Sequence, residues 1–304
     1  MKAARIHRFG SPEVVVIDDI PCPAPSGGEV LVRVSHAGVG PWDALIREHK
    51  SVVAATLPLT LGSDFAGMVA AVGPGITQFQ AGDSVYGVTN REFTGAHAEF
   101  ALARANMTAR KPQSLSFAQA ASAPVVAVTA WQMLFDYGGA AAGQTVLIHG
   151  AGGNVGAFAV QMAAQAGLNV IASASAEDEA YLHRLGAGTV IDYRGSRFEE
   201  VAHDVDIVLD LVGGETLERS FGVVKPGGKV VSVVSRGAEN RAVFFLVEVT
   251  TDRLNAITQL FEQGRLIPRV GSVVPLQEAR TAHMMLGGAP HKPGKILLAV
   301  AELN

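Results

Sequence analysis

Apolar residues in the first part of the chain come in short runs, 13–17, 30–34, 65–72 and 84–87, separated by turn-forming residues. Such runs, rich in Val and Ile and bounded by Gly, Pro and Asp, are the mark of strands, so this part is expected to be β-rich. Pro21, Pro23, Pro25, Gly27 and Gly28 break the first two runs apart. From about residue 116 the pattern changes to helical periods alternating with β-branched runs, which predicts a parallel sheet covered by helices. The clearest stretch is 144–193: a strand at 145–149, a helix at 154–166 stopped by Gly167, a strand at 169–173, a helix at 177–185 stopped by Gly186, and a strand at 190–192. Runs at 205–211, 229–234 and 242–249 continue the sheet to six strands, with a turn at Lys225-Pro226-Gly227-Gly228. Beyond Gly264 the chain returns to short strands, 270–274 and 296–300, around one helix at 276–285. That tail is expected to rejoin the first part, giving one discontinuous domain of 1–117 and 265–304 and a second of 118–264.

Composition narrows the functional classes. At 304 residues the chain exceeds the size at which one core usually stops growing, so two domains are the prior. A net charge of −4 without any run of Lys or Arg offers no footprint for a nucleic acid or an anionic membrane. The longest apolar stretch, 120–135, is interrupted by Ser122, Pro124, Thr129 and Gln132 and is too short to span a bilayer. The single cysteine, Cys22, allows no intramolecular disulfide, and the first ten residues lack the apolar core of a signal peptide, so a reducing cytoplasm is expected.

The chemistry enters directly after the strand at 145–149. Gly150-Ala151-Gly152-Gly153-Asn154-Val155-Gly156 contains Ala-x-Gly-x-x-Gly at Ala151, Gly153 and Gly156, and a helix follows at once. Small residues let the backbone approach a pyrophosphate, the helix N-terminus presents free N–H groups, and the last glycine lets helix and strand pack closely. The alternative, a flexible glycine-rich turn, lacks an explanation for the strand before and the helix after. At the end of the second strand, where an NAD-binding domain places an acid against the ribose, the chain has Ser173-Ala174-Ser175. These small residues leave room for a 2′-phosphate, and Arg194 is a candidate counter-charge, so NADPH is favoured over NADH. Glu177, Asp178 and Glu179 follow closely; they read as the acidic first turn of a helix, or as groups that would repel a 2′-phosphate if they line the pocket.

Leu61-Gly62-Ser63-Asp64-Phe65-Ala66-Gly67, Gly82-Asp83 before Val85-Tyr86-Gly87, Gly95-Ala96-His97-Ala98-Glu99 and Val128-Thr129-Ala130-Trp131 carry a family resemblance. Asp192-Tyr193-Arg194, Val212-Gly213-Gly214 and Gly294-Lys295-Ile296 continue it over nearly the whole chain. The sequence resembles the zinc-free branch of the medium-chain dehydrogenase/reductases, the quinone oxidoreductases related to zeta-crystallin. The resemblance implies an α/β protein: a Rossmann doubly wound parallel sheet plus a discontinuous GroES-like β-barrel domain, with a cleft between them. It further implies NADPH as donor and a homodimer joined through Rossmann edge strands. By the same resemblance Thr129 and Val155 border the nicotinamide, Val212, Val233 and Ser235 line its ribose and amide side, and Tyr193 packs near the adenosine phosphate. Lys295 is read either as a phosphate ligand or as an exposed barrel lysine.

Zinc members of the superfamily have a cysteine near the position of Val39, Gly-His-Glu where this chain has Gly62-Ser63-Asp64, and four clustered cysteines, none of which occur here. No metal is therefore expected, and His36 and His97 read as hydrogen-bonded histidines. The chain departs from the quinone reductase pattern as well: the usual Asn-Pro of the first substrate loop is Gly40-Pro41-Trp42-Asp43. Trp42 is either a core aromatic or a flat wall for an aromatic acceptor. Asp43, Ser63 and Asp64 are candidates to relay a proton to the reduced acceptor, with Asp64 equally readable as a loop anchor. The expected acceptor is a small quinone, the nearest alternative an enone or alkenal double bond, and the rival from another class a nucleotide-binding sensor or structural protein without turnover.

Overall fold

Thr145–His149 lies in the interior of a six-stranded sheet in the computed structural model, which describes residues 1–53 and 55–303. In chain order the strands are Thr145–His149, Asn169–Ala174, Thr189–Asp192, Val205–Asp210, Val224–Ser232 and Val243–Phe244. Across the sheet they run third, second, first, fourth, fifth, sixth, and every neighbouring pair is parallel. Chain direction across the sheet reverses beside the first strand, the topological switch point at which open α/β sheets hold ligands. Val146, Leu147, Ile148, Val208 and Leu209 are fully buried, as strands covered on both faces require. Helix Asn154–Gln165 follows the first strand and helix Glu179–Leu185 the second; the latter ends on Gly186 in the left-handed region.

Two local expectations fail here. The run 242–249 supplies only the two-residue strand Val243–Phe244, because its alternation stops where Phe245 and Val249 turn into the core and Leu246 out to solvent. The turn expected at Lys225–Gly228 lies inside the strand Val224–Ser232, where the register with the neighbouring strand slips between Val205↔Val224 and Ile207↔Lys229. Irregular pairing accommodates the Pro-Gly-Gly that would otherwise end a strand.

The remainder is built on Glu29–Val39, an eleven-residue strand that pairs antiparallel with Asp64–Val72, Phe100–Arg104 and Lys295–Ala299. The last pairing, Ile296↔Val39 to Ala299↔His36, makes this unit discontinuous. Its core gathers Val30, Val32, Val34, Phe65, Val85, Ile296 and Leu298. A smaller sheet sets Lys2–Ile6 between Val16–Asp19 and Leu59–Thr60, so the first strand begins earlier than the pattern suggested and Pro12–Val14 is a 3-10 turn.

By contact the chain divides into Met1–Val125, Val249–Gly264 and Pro268–Asn304 as one unit, and Val126–Glu248 with Arg265–Ile267 as the other. The division thus falls eight residues later than 117/118, and helix Thr251–Glu262 packs with the first unit. Leu254, Ile257 and Phe261 form its buried stripe, and the Tyr86 hydroxyl bonds both Leu254 O (2.9 Å) and Thr258 Oγ1 (2.8 Å).

Candidate dinucleotide and acceptor sites

The glycine loop is built for close approach. Gly150 takes φ +70°, and a Cβ on Gly156 would stand 2.5 Å from Gly150 O and 2.6 Å from Ala151 Cα, so only glycine fits where helix Asn154–Gln165 crosses the loop. The Ala151 N–H donates to Ser173 O at 3.0 Å, tying the loop to the end of the second strand. Gly153 is the N-cap residue and no side chain caps the helix, which leaves its first N–H groups and positive dipole to an anion. Ala151, Gly152, Gly153, Asn154, Val155 and Gly156 therefore form one cradle that suits a pyrophosphate.

Two residues that sequence reasoning passed over shape the neighbouring strand tips. Asp210, fully buried at the end of Val205–Asp210, accepts the N–H groups of Val212 (3.1 Å) and Gly213 (2.9 Å) and the Ser232 hydroxyl (2.7 Å). Ser232 Oγ in turn accepts the N–H groups of Val234 (3.0 Å) and Ser235 (3.2 Å). The pair holds Val212 and Ser235 in place at the carboxyl ends of adjacent strands, with Val212 exposed, while the Val233 N–H donates to Asp210 O at 3.4 Å. An acid closing an apolar strand three residues before Gly213-Gly214 was the available signal. Thr129 is on helix Pro124–Trp131, nearly buried, just before the π-helical turn Gln132–Tyr137.

At the end of the second strand Ser173 is buried and Ser175 partly so, while Tyr193 and Arg194 are exposed beyond the third strand. Arg194, expected as the counter-charge for a 2′-phosphate, has its Nη1 3.2 Å from Glu177 Oε1, and Asp178 lies beside Gly152. His149, which precedes the loop, is buried against Phe198 with Nε2 on Ser220 Oγ (3.1 Å), and burial pushes its pKa down to about 4.

The other unit gathers Trp42, Ser63, Asp64 and Lys295. Trp42 Nε1 donates to Ser63 Oγ at 2.9 Å, and the Lys295 ammonium stands 4.1 Å from the centroid of the Trp42 ring. Lys295 Nζ donates to Asp64 Oδ2 at 2.9 Å, and Asp64 Oδ1 accepts the Val125 N–H at 2.9 Å. Lys295 is 1% exposed and Asp64 0%. Lys295 is thus not an exposed barrel lysine: it is buried with a carboxylate partner inside its own unit. Asp64 has both carboxylate oxygens engaged in hydrogen bonds. Asp43 is fully buried at the start of helix Pro41–Arg47; its Oδ2 accepts the Gly40 N–H at 2.7 Å, and burial raises its pKa to about 7. Its carboxylate secures the helix start that presents Trp42.

His97 lies beneath this cluster, its Nε2 3.0 Å from Gly38 O, while His36 is partly buried with Nδ1 on Ser35 Oγ (3.1 Å). Among the described residues no three His, Cys, Asp or Glu side chains are grouped as a metal ion would require. Among them, too, no helix is long and apolar enough to cross a membrane.

Comparison with known proteins agrees with this architecture. Residues 26–113 match the family described as the alcohol dehydrogenase GroES-like domain, and residues 185–298 the family described as zinc-binding dehydrogenase. The quinone oxidoreductase of Rattus norvegicus is 31% identical over 322 residues, covering 98% of this chain and 97% of that one. Among solved structures, the quinone oxidoreductase from Coxiella burnetii superposes with a TM-score of 0.92 at 33% identity, covering 99% of both chains. A mycobacterial protein solved in complex with NADPH gives 0.86 at 27% identity over 98% of this chain and all of the other.

Proposed function

Since the chain belongs to the medium-chain dehydrogenase/reductase family, among the quinone oxidoreductases of the zeta-crystallin type, we propose that it reduces a quinone by hydride transfer from a reduced nicotinamide dinucleotide, without zinc. The reaction consumes one dinucleotide, one proton and one quinone and yields the oxidised dinucleotide and the hydroquinone. The observation that carries the reading is the glycine cradle at 150–156 on a sheet with its switch point beside it. The cofactor supplies the hydride; the chain's own residues bind and orient.

Backbone N–H groups from Asn154 onward receive the pyrophosphate, while Thr129, Val155, Val212, Val233 and Ser235 are assigned to the nicotinamide end. Trp42 is assigned to the acceptor. Its indole has its N–H on Ser63, its benzo edge against Gly40 and one face on the Lys295 ammonium, and the ring remains partly exposed. A rigid, partly open aromatic face favours a planar quinone over an aliphatic enone, since offset stacking adds about 0.5–1.5 kcal/mol beyond burial. Zinc independence is supported by Ser63 and Asp64: one accepts from Trp42, the other holds Lys295.

Two features bear on the donor. The small side chains of Ser173 and Ser175 and the NADPH bound by the mycobacterial neighbour support NADPH; the charges around those serines oppose it. A homodimer is supported by the short edge strand Val243–Phe244, followed by exposed Leu246. A cytoplasmic setting is supported by the lone exposed thiol of Cys22.

Turnover tests the reading. The purified protein with NADPH or NADH is offered 1,4-benzoquinone, 9,10-phenanthrenequinone and an enone, with oxidation followed at 340 nm and products identified. Hydroquinone formation is expected, fastest with the three-ring quinone. A saturated ketone as the product would move the function to double-bond reduction, and binding without turnover would indicate a sensor or structural protein.

A further inference from the structure

The two nicotinamide dinucleotides differ at one place, the adenosine ribose 2′ position, which carries a hydroxyl in NADH and a phosphate of about −1.5 to −2 charge in NADPH. In a doubly wound sheet that ribose lies between the glycine loop after the first strand and the residues after the second. Here those two segments meet through Asp178. The 3-10 turn Ala176–Asp178 brings the Asp178 N–H back onto Ser175 O at 3.0 Å, and the Ser175 hydroxyl donates to Asp178 Oδ2 at 3.4 Å. The carboxylate lies directly over the loop: a Cβ on Gly152 would stand 2.4 Å from Asp178 Oδ2 and 2.9 Å from its Cγ.

Arg194, the counter-charge expected from the sequence, has its guanidinium 3.2 and 3.3 Å from the two oxygens of Glu177. Asp178 thus adds a carboxylate beside the loop on the side where a 2′-phosphate would arrive, and Arg194 is shared with a second carboxylate. A carboxylate can only accept hydrogen bonds, so it suits a ribose hydroxyl and opposes a phosphate dianion.

We propose that Asp178 selects NADH over NADPH by accepting the ribose hydroxyl across Gly152, in place of the NADPH expected from the small residues at 173–175. The inference rests on the dinucleotide reading above and adds which donor the site takes. Arg194 shares its charge with Glu177 in an exposed pair, and the backbone of Gly152 leaves no side chain to shield the incoming group from the carboxylate.

Direct binding tests this without any acceptor. NADH and NADPH are titrated into the protein by fluorescence and by thermal shift, for the natural chain and for Asp178→Asn, Asp178→Lys and Glu177→Gln. The natural chain is expected to bind NADH at least about tenfold more tightly, about 1.4 kcal/mol. Asp178→Asn should remove most of that ratio by strengthening NADPH, Asp178→Lys should reverse it, and Glu177→Gln should narrow it by releasing Arg194. The natural chain's ratio should also shrink with added salt, a readout independent of any variant's folding. Equal or tighter binding of NADPH by the natural chain, or an unchanged ratio in a folded Asp178→Asn protein, overturns the proposal alone. If neither dinucleotide binds, the proposal and the functional reading fall together.

Discussion

Lys295 and Asp64 are 231 positions apart in sequence, yet their ion pair is nearly sealed from solvent. Such a pair is little evidence of net stability, but removing one partner strands a buried charge. Lys295→Met is therefore expected to lower stability by about 3–5 kcal/mol in urea unfolding, and adding Asp64→Asn to it should recover part of the loss. A single variant as stable as the natural chain would show that the pair is open to water. This pairing was illegible in the sequence, where Lys295 looked like any lysine at the head of a strand. Asp64 was half legible: it read as a proton relay or as a loop anchor, but its partners, Val125 and Lys295, come from other segments. Asp210 and Ser232 went unseen for the same reason, since each is an ordinary polar residue until the parallel register brings Ser232 opposite Asp210.

Elements were more legible than residues, and most legible where one period held over a whole segment. The strand, glycine loop and helix at 145–165 appear within a residue or two of the pattern, because tight turns and close packing demand glycine at fixed places. Gly156→Val is accordingly expected to abolish dinucleotide binding, since its Cβ would enter the space of Gly150 O and Ala151 Cα. Thermal shift with each dinucleotide checks it: a Gly156→Val protein that still gains stability on adding ligand would mean that the cradle is not the binding site. Helix Thr251–Glu262 was missed although Leu254, Ile257 and Phe261 form a clear stripe, because the preceding apolar run invited a strand instead. The run 242–249 failed as a strand since apolar alternation records burial, and burial there comes from irregular backbone turning Phe245 and Val249 inward.

At the scale of the molecule, three buried histidines and one buried aspartate set the response to acid. Burial holds His97 and His149 down to about 4 and places His283 well below its ordinary value, so the unfolded chain takes up these protons first as pH falls below about 6.5. Asp43 works in the opposite sense: raised to about 7, it keeps a proton in the folded state that the unfolded chain releases above about 4. Between these limits these four groups leave three protons favouring the unfolded chain and one the folded, a fall in stability of up to about 2.8 kcal/mol per pH unit at about 1.4 for each of two net protons, and His36, lowered by its partial burial, adds in the same sense. Urea midpoints at pH 7 and pH 5 measure it; a midpoint that holds or rises at pH 5 would mean that the histidines reach solvent. By itself the sequence determined the class of fold, the glycine cradle and the return of the C-terminal strand, because periodicity and close backbone approach are local demands written into neighbouring residues. Only the tertiary structure decided where the charges went: Lys295 to Asp64, Arg194 to Glu177 and Asp178 to the loop at Gly152. Electrostatic partnership depends on distance in space, which sequence separation does not measure.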